Sequence, residues 1–330
     1  MTADEPMPSR NPPLRLFIDP ARDGATNMAI DGALLQEVGR ATSLLAQPYR
    51  IDPSAAGQGV LRLYRWSPAT LSLGYFQKYD DPQRLGDPVL SALPVVRRCT
   101  GGGAIVHADE LTYSLVLQLD HPLAGHRTRD LYDWMHARIA EAIAALGAAG
   151  VSSPGATAVR SRALCAQDQT EVSQDSAGPS LRPEGPSARL RTAVAPGTEG
   201  SGEQAKVALR GGPQCAAGRG GPFLCFACHA SFDLMAGADK LAGSAQRRTR
   251  TGLLQHGSVV LSRSHPIQPS SAVGDLLHRP VRFEEMAAAL AAAVRSAGVE
   301  LIDSGQAPAA GSAFAEQHRL HSGVAWVRRL

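Results

Sequence analysis

Apolar residues along the chain switch repeatedly between a spacing of two and a spacing of three to four, so strands and helices are interleaved. Residues 14–19 are apolar and β-prone and predict a short strand. In residues 26–38, Met28, Leu34, Leu35 and Val38 fall near one helical face, with Asp23 or Thr26 available as a cap. Residues 60–66 and 70–75 predict two strands joined by a hairpin-like turn at Ser67-Pro68. Residues 94–98, 104–107 and 112–119 continue the strand pattern. Gly101-Gly102-Gly103 and Ala108-Asp109-Glu110 interrupt it, which predicts a sheet with tight connections. From 128 to 146, Leu131, Trp134, Met135, Ile139, Ile143 and Leu146 step by three and four, the pattern of a long amphipathic helix ended by Gly147 and Gly150.

Residues 152–222 are different: rich in Ser, Pro, Gly, Ala, Arg and Gln, with few aliphatics and no sustained period. So little apolar surface does not offset the entropy lost on ordering, and the composition predicts a disordered insert. Residues 1–13, polar and proline-rich, read as a flexible N-terminus. Pattern returns at Phe223. Residues 231–236 and 240–246 predict a hairpin about Gly237-Ala238-Asp239, residues 253–261 a further strand, and residues 283–297 an alanine-rich helix. The last thirty or so residues predict no firm element. Without a regular strand-helix repeat, the expected fold class is α/β of the α+β kind: a mixed, partly antiparallel sheet packed by helices, in one domain over residues 14–330.

Composition narrows the function classes. With 330 residues and 44% hydrophobic content, an ordinary buried core is affordable. A net charge of +3, with both signs mixed, gives no reason to expect sequence-independent nucleic-acid binding. No stretch approaches the apolar length of a membrane helix, so a cytoplasmic protein without membrane or nucleic-acid partners is expected. The five cysteines, Cys99, Cys165, Cys215, Cys225 and Cys228, are odd in number and irregularly spaced, which predicts reduced thiols.

Three constellations could carry chemistry. The first is Arg97-Arg98-Cys99-Thr100-Gly101-Gly102-Gly103-Ala104-Ile105-Val106-His107, where glycines let backbone approach a ligand closely and offer amide donors. No Gly-Lys-Ser/Thr follows and no helix opens after the glycines, so it is neither a P-loop nor a dinucleotide fingerprint. The second is Cys225-Phe226-Ala227-Cys228-His229, open to reading as half a zinc site, a redox pair, a nucleophilic thiol or an inert thiol. Zinc is disfavoured because no second ligand pair lies nearby, and no metal is expected. The third is Asp239-Lys240-Leu241-Ala242-Gly243-Ser244-Ala245-Gln246, followed by Gln255-His256-Gly257-Ser258. A strand lysine is by default solvated; among small and apolar residues it needs a partner if buried.

Together these segments resemble the biotin/lipoate protein ligase superfamily, closest to cysteine-dependent octanoyltransferases and lipoate–protein ligase A. Arg97-Arg98-x-Thr100-Gly101-Gly102-Gly103-Ala104-x-x-His107 looks like the family's signature loop, with Glu110-Leu111-Thr112-Tyr113-Ser114 following it. Asn27-Met28-Ala29-x-Asp31 and Leu71-Ser72-Leu73-Gly74-Tyr75-Phe76-Gln77 resemble segments upstream. Cys225-Phe226, Phe232-Asp233-Leu234, Lys240-x-x-Gly243-Ser244-Ala245-Gln246 and Gln255-His256-Gly257-Ser258 follow in family order. The likeness covers residues 14–150 and 223–262. Gly32 departs from a usual glutamate, Ala230 from a proline, and Gly103 from an arginine frequent in the octanoyltransferase branch.

The resemblance implies a class II aminoacyl-tRNA synthetase/biotin synthetase-like catalytic domain. It also implies an acyltransferase that takes octanoyl from acyl carrier protein and passes it to a lysine of a lipoyl domain, such as glycine-cleavage H protein or a 2-oxoacid dehydrogenase E2. Cys225 would be the nucleophile, with Cys228 as the alternative. Lys240 would sit beside the thiol and the acyl carbonyl, while Arg97, Thr100, Gly101, Gly102, Gly103, His107, Gly243, Ser244 and Ala245 would bind substrate. His107 is equally readable as structural. Arg97, Arg98, Arg247, Arg248 and Arg250 would form a basic rim for acidic carriers, or a plain solvated face. No cofactor is implied; ATP and Mg enter only if the chain is an ATP-dependent lipoate–protein ligase. A lipoyl amidotransferase and a non-catalytic lipoyl-domain-binding module are the other rivals.

Overall fold

The helix expected at 26–38 runs over Gly24–Leu45 (α1), and Asp23 caps it: Oδ1 accepts from the Thr26 amide at 2.9 Å and Oδ2 from the Thr26 hydroxyl at 2.6 Å. It lies against the strands Leu14–Arg22 (β1), Gly59–Trp66 (β2), Glu110–Gln118 (β6) and Gly252–Val260 (β10) of the large sheet in this computed structural model. The structure describes residues 11–45, 59–125, 127–150, 207–209, 222–228, 233–263 and 270–329. Residues 1–150 with 203–330 form one unit. A second, residues 151–202, lies outside the described residues, as does most of the expected insert.

The remaining strands of that sheet are Val207–Leu209 (β7), Leu234–Ala236 (β8), Asp239–Arg248 (β9) and Leu301–Asp303 (β11), in the order β11-β1-β2-β6-β10-β9-β8-β7. β1 runs parallel to β11 and β2; every other pairing is antiparallel. The central strands β6 and β10 are buried throughout, because helices cover both faces. Alternate residues serve the two layers. Leu61, Leu115 and Leu253 pack with Leu131, Met135 and Ile139 of Thr128–Gly150 (α4) and with Met286 and Leu290 of Phe283–Ser296 (α6). Their neighbours Val60, Val116 and Leu254 pack with Ile30, Leu34 and Val38 of α1. Each such buried aliphatic contributes about 1.5–3 kcal/mol relative to exposure.

Two expectations need correcting. The strands at 60–66 and 70–75 form no hairpin. The Ser67-Pro68 bond is cis, proline offers no amide to the ladder, and the chain leaves the large sheet. Thr70–Leu73 (β3) then lies between Val95–Arg97 (β4), parallel, and Ile105–His107 (β5), antiparallel, as the centre of a separate three-stranded sheet. Two short capped helices, Pro82–Leu85 (α2) and Pro88–Ala92 (α3), bridge β3 to β4. The expected insert also reaches too far: within it β7 is an ordered edge strand, held by a ladder to β8 rather than by side-chain periodicity.

After Val273–Leu277 (α5) and α6, the C-terminal residues that gave no firm expectation form β11, Ser312–Ser322 (α7) and Val324–Val327 (α8). α7 rests on α1 where Gly32 leaves room. A Cβ at Gly32 would lie 2.5 Å from Gln317 Oε1, so the Gln317 side chain packs over this glycine. The same segment grips β4: His321 Nδ1 and Trp326 Nε1 both reach the Arg97 carbonyl, at 3.2 and 3.0 Å. Among the described residues no helix is long and apolar enough to cross a membrane.

Burial holds the His321 pKa down at about 4, from an ordinary 6.5. The unfolded chain therefore binds one more proton than the native protein between those values. Stability should be full above pH 6.5 and fall through the window to pH 4, by about 3 kcal/mol from this group. Urea unfolding from pH 7 to pH 4 checks this: His321→Gln should flatten the pH dependence, and an unchanged slope would refute the assignment.

Candidate active site

The β8–β9 hairpin places Asp233, just before β8, next to Lys240, two residues into β9. Lys240 is 5% exposed and Asp233 is equally buried. Lys240 Nζ lies 2.7 Å from Asp233 Oδ2, 3.3 Å from Cys225 Sγ and 3.5 Å from the Cys225 carbonyl oxygen. Burial alone favours the neutral amine. The sulfur of Cys225 and then the carboxylate of Asp233 outweigh it, so the Lys240 pKa stands above its ordinary value and the side chain is an ammonium. Glycine at 243 makes the site possible: a Cβ there would lie 2.3 Å from Lys240 Cε and 2.7 Å from Nζ.

Cys225 opens a single 3-10 turn, Cys225–Ala227, and its backbone is pinned to the glycine loop. Its amide donates to the Ala104 carbonyl at 2.7 Å, and the Ala104 amide donates to the Phe223 carbonyl at 2.9 Å. A Cβ at Gly103 would come within 2.9 Å of the Cys225 nitrogen, so this close approach leaves no room for a side chain. The arginine frequent in the octanoyltransferase branch could not stand here without moving the cysteine. Gly102 has φ of +92°, and its carbonyl oxygen would lie 1.9 Å from a Cβ at Gly74.

Beneath the loop, Arg98 acts as an internal brace. Its Nη1 donates to the carbonyl and hydroxyl of Ser72, and its Nη2 to the carbonyls of Gly101 and Gly103. Ser72 Oγ also pairs with His107 Nε2 at 2.6 Å, while His107 Nδ1 pairs with Glu110 Oε1 at 2.6 Å and its ring stacks on Trp66 at 3.9 Å. Ser258 and Thr112 donate to the same carboxylate, and Trp66 Nε1 donates to Thr112. A second buried network centres on Asp31, which accepts from Arg62, Tyr64 and Ser114 at 2.8–2.9 Å. Burial would raise the Asp31 pKa, but His256 and Arg62 hold it low. Burial depresses the His256 pKa despite Asp31 Oδ2 at 3.5 Å, and its Nε2 pairs with Thr100 Oγ1 at 2.7 Å.

These walls enclose a cleft of about 410 Å³, including its open mouth, within the range of small-molecule sites. Cys225, Gly102, His107, Gly243, Ser244 and Ala245 line it, with Met28, Tyr64, Trp66, Arg98, Ile105 and His256 also on its walls. Of the other expected substrate-binding residues, Thr100 is buried against His256 and Gly101 lies at the loop's half-exposed outer turn. Arg97 points away: its guanidinium donates to the carbonyls of Gly74, Tyr75, Gln77, Trp326 and Val327. Neither Arg97 nor Arg98 reaches a basic rim, because both are buried and donate to groups inside the protein. Arg247, Arg248 and Arg250 are exposed; Arg247 holds the Cys99 carbonyl and Arg248 the Ala124 carbonyl.

Cys228 is disulfide-bonded, so the expectation of a reduced thiol there fails and it offers no free nucleophile. Cys99 is a free thiol, but burial pushes its pKa up to about 11 and it does not line the cleft. Among the described residues no three His, Cys, Asp or Glu side chains converge as metal ligands. Sequence reasoning assigned no role to Asp233, Glu110, Asp31 or His256, although all four sit in the quoted motifs. The signal for Asp233 was the seven-residue step to Lys240 across a glycine turn, which sets the two on adjacent antiparallel strands.

Residues 23–169 match the lipoyl protein ligase A/B catalytic domain. The octanoyltransferase LipM of Moorella thermoacetica is 32% identical over 248 residues, 75% of this chain and 65% of that protein. Over residues 23–169 the chain is similar to the lipoyl protein ligase A/B catalytic-domain family. It thus spans just under two thirds of the length of that relative. Among solved structures, protein Ta0514 from T. acidophilum with bound lipoic acid gives a TM-score of 0.58 at 14% identity, covering 96% of this chain and 99% of that one. The bipartite lipoate protein ligase of Thermoplasma acidophilum, solved with its E2 lipoyl domain, gives 0.52 at 14% identity, covering 96% of each chain. These establish the lipoyl-ligase fold, with its mixed sheet and helices on both faces.

The glycine loop can be tested directly. Gly74→Ala must push the Gly102 carbonyl away, at a cost of about 1–3 kcal/mol. Chemical denaturation should show that loss, and iodoacetamide should react with Cys225 at an altered rate. Wild-type stability and reactivity would contradict the contact.

Proposed function

We propose that the chain is an octanoyltransferase that moves an octanoyl group from acyl carrier protein, through a thioester on Cys225, to a lysine of lipoyl domains. One observation carries the reading: a free thiol that lines the cleft stands 3.3 Å from a buried ammonium. The LipM relatives favour the same assignment. Ammonium charge stabilises the thiolate, the form that attacks a thioester. Sγ would bond to the octanoyl carbonyl carbon, and the donor's carbon–sulfur bond would break and release the donor thiol. In the second half-reaction the acceptor amine would attack the same carbon, form an amide and lose its proton, and Cys225 would leave as thiolate.

Lys240, with amides around Gly102 and Gly103, would hold the developing oxyanion in both steps. Asp233 would be a positioning residue. Met28, Tyr64, Trp66 and Ile105 would receive the eight-carbon chain, whose burial contributes about 0.8 kcal/mol per methylene. Gly243, Ser244 and Ala245 would form the opposite wall, and His107, locked between Ser72 and Glu110, would shape the floor. Acceptors would be carriers such as glycine-cleavage H protein or a 2-oxoacid dehydrogenase E2.

Intact-mass analysis after mixing with octanoyl-acyl carrier protein tests the proposal. Wild type should gain one octanoyl group, Cys225→Ser should gain none, and Lys240→Met should acylate about 10²–10³-fold more slowly. If Cys225→Ser modifies a lipoyl domain at full rate with lipoate and ATP, the chain is a nucleotide-using ligase instead.

A further inference from the structure

Phe76 is 78% exposed and Val324 65%, the two most exposed large apolar side chains among the described residues. Both belong to one surface cluster. The Tyr75 ring lies 4.8 Å from Phe76 and 5.9 Å from Trp326, and Val324 begins the helical turn that carries Trp326. Around these rings stand exposed arginines placed over aromatic faces: Arg329 over Tyr75 at 4.0 Å and over Trp326 at 5.0 Å, Arg247 over Tyr75 at 5.5 Å, and Arg328 over Tyr79 at 4.8 Å. A stacked guanidinium keeps its N–H edge free for carboxylates while its plane is held still. Three exposed arginines stand against these rings, and they make the patch basic. Exposed aromatics with ordered arginines are the composition of an interface core.

The patch lies directly behind the glycine loop. The Tyr75 amide donates to the Thr100 carbonyl at 2.8 Å, and Arg247 holds the Cys99 carbonyl at 2.9 Å. We infer that Phe76, Val324 and the arginines 247, 328 and 329 form the docking surface for the acidic, acyl-loaded donor carrier. The inference rests on the octanoyltransferase reading and names where its donor sits. The donor is favoured over the acceptor by reach. Its acyl group rides on a long prosthetic arm that can round the loop, whereas an acceptor lysine has only a four-carbon stem and brings its own domain to the cleft mouth. Neither Phe76 nor the two C-terminal arginines touches the cleft, so their effect is confined to the protein-borne donor.

The test compares two donors on the full chain: octanoyl-acyl carrier protein and octanoyl-pantetheine, which presents the same thioester without the protein. Phe76→Ser and the double variant Arg328→Glu/Arg329→Glu should each lower kcat/KM for Cys225 acylation at least tenfold with the carrier and leave octanoyl-pantetheine unchanged. Charge reversal should also flatten the salt dependence. Equal rates with the carrier, an equal loss with both donors, or a change confined to KM for the lipoyl-domain acceptor would each overturn the surface. Anisotropy of a fluorescently labelled carrier reads docking without chemistry. Salt-sensitive binding that the variants abolish, with no acylation of wild type, would support the surface while defeating the transferase; no binding to wild type would defeat the surface itself.

Discussion

A charged amine buried in the β8–β9 hairpin is the interaction on which the site depends. Leaving Lys240 without its carboxylate would cost about 3–5 kcal/mol, because an unpaired charge would remain out of water. Asp233 therefore has to be within hydrogen-bond distance, as its 2.7 Å contact shows. That requirement fixes a chain of others. The turn at Gly237-Ala238 must be tight enough to bring the two residues together, position 243 must lack a side chain, and the Cys225 turn must close over the ammonium. The pair does not make the protein stable in any large measure. It makes one arrangement of the cleft much cheaper than the others.

The glycine loop answers a complementary problem, that of holding irregular backbone still beside a cavity. Two adjacent arginines divide the work by the pleat of β4. Arg98 faces inward and supplies donors to the carbonyls of the loop itself. Arg97 faces outward and ties the carbonyls at Gly74–Gln77 to those of the C-terminal helical turn. Polar backbone that would otherwise be orphaned is satisfied by charged donors on both sides. The C-terminal segment thereby becomes part of the loop's support, and His321 and Trp326 complete the tie from their own side.

Periodicity located the elements that carry the core. α1, α4, α6 and the strands β1, β2, β6 and β10 bury long apolar faces, and each was legible from spacing alone. Topology was less so. Residues 70–73 are as strand-like as residues 60–66, and nothing in either run says that they join different sheets; the break at Ser67-Pro68 reads as a turn in both cases. β7 and β11 have three residues each, too few to show a period, and exist because a neighbouring edge supplies their hydrogen bonds. In the cleft, local motifs pointed to Cys225, Lys240 and the glycines. Arg97 was misplaced because strand alternation, which sends it and Arg98 to opposite faces, was not applied to the pair. Asp233, Glu110 and Asp31 find partners in Lys240, Ser258 and His256, which lie 7, 148 and 225 positions away, and the longer of these separations are not displayed by spacing along a single chain.

Charge accounting explains why one lysine can serve both half-reactions of the proposed chemistry. With Cys225 as thiolate, Lys240, Asp233 and sulfur would hold one positive and two negative charges, and the buried Arg98 guanidinium also acts on the sulfur. Acylation would remove the charge from sulfur and leave Lys240 and Asp233 balanced. The N–H of Lys240 that faced the sulfur would then be released toward the new carbonyl oxygen. When the acceptor amine attacks, charge would develop on that oxygen and return to sulfur. The loss of Asp233 would let Lys240 swing fully onto sulfur. The 2.7 Å and 3.3 Å contacts therefore describe a shared cation, held mainly by the carboxylate and lent to whichever atom carries negative charge.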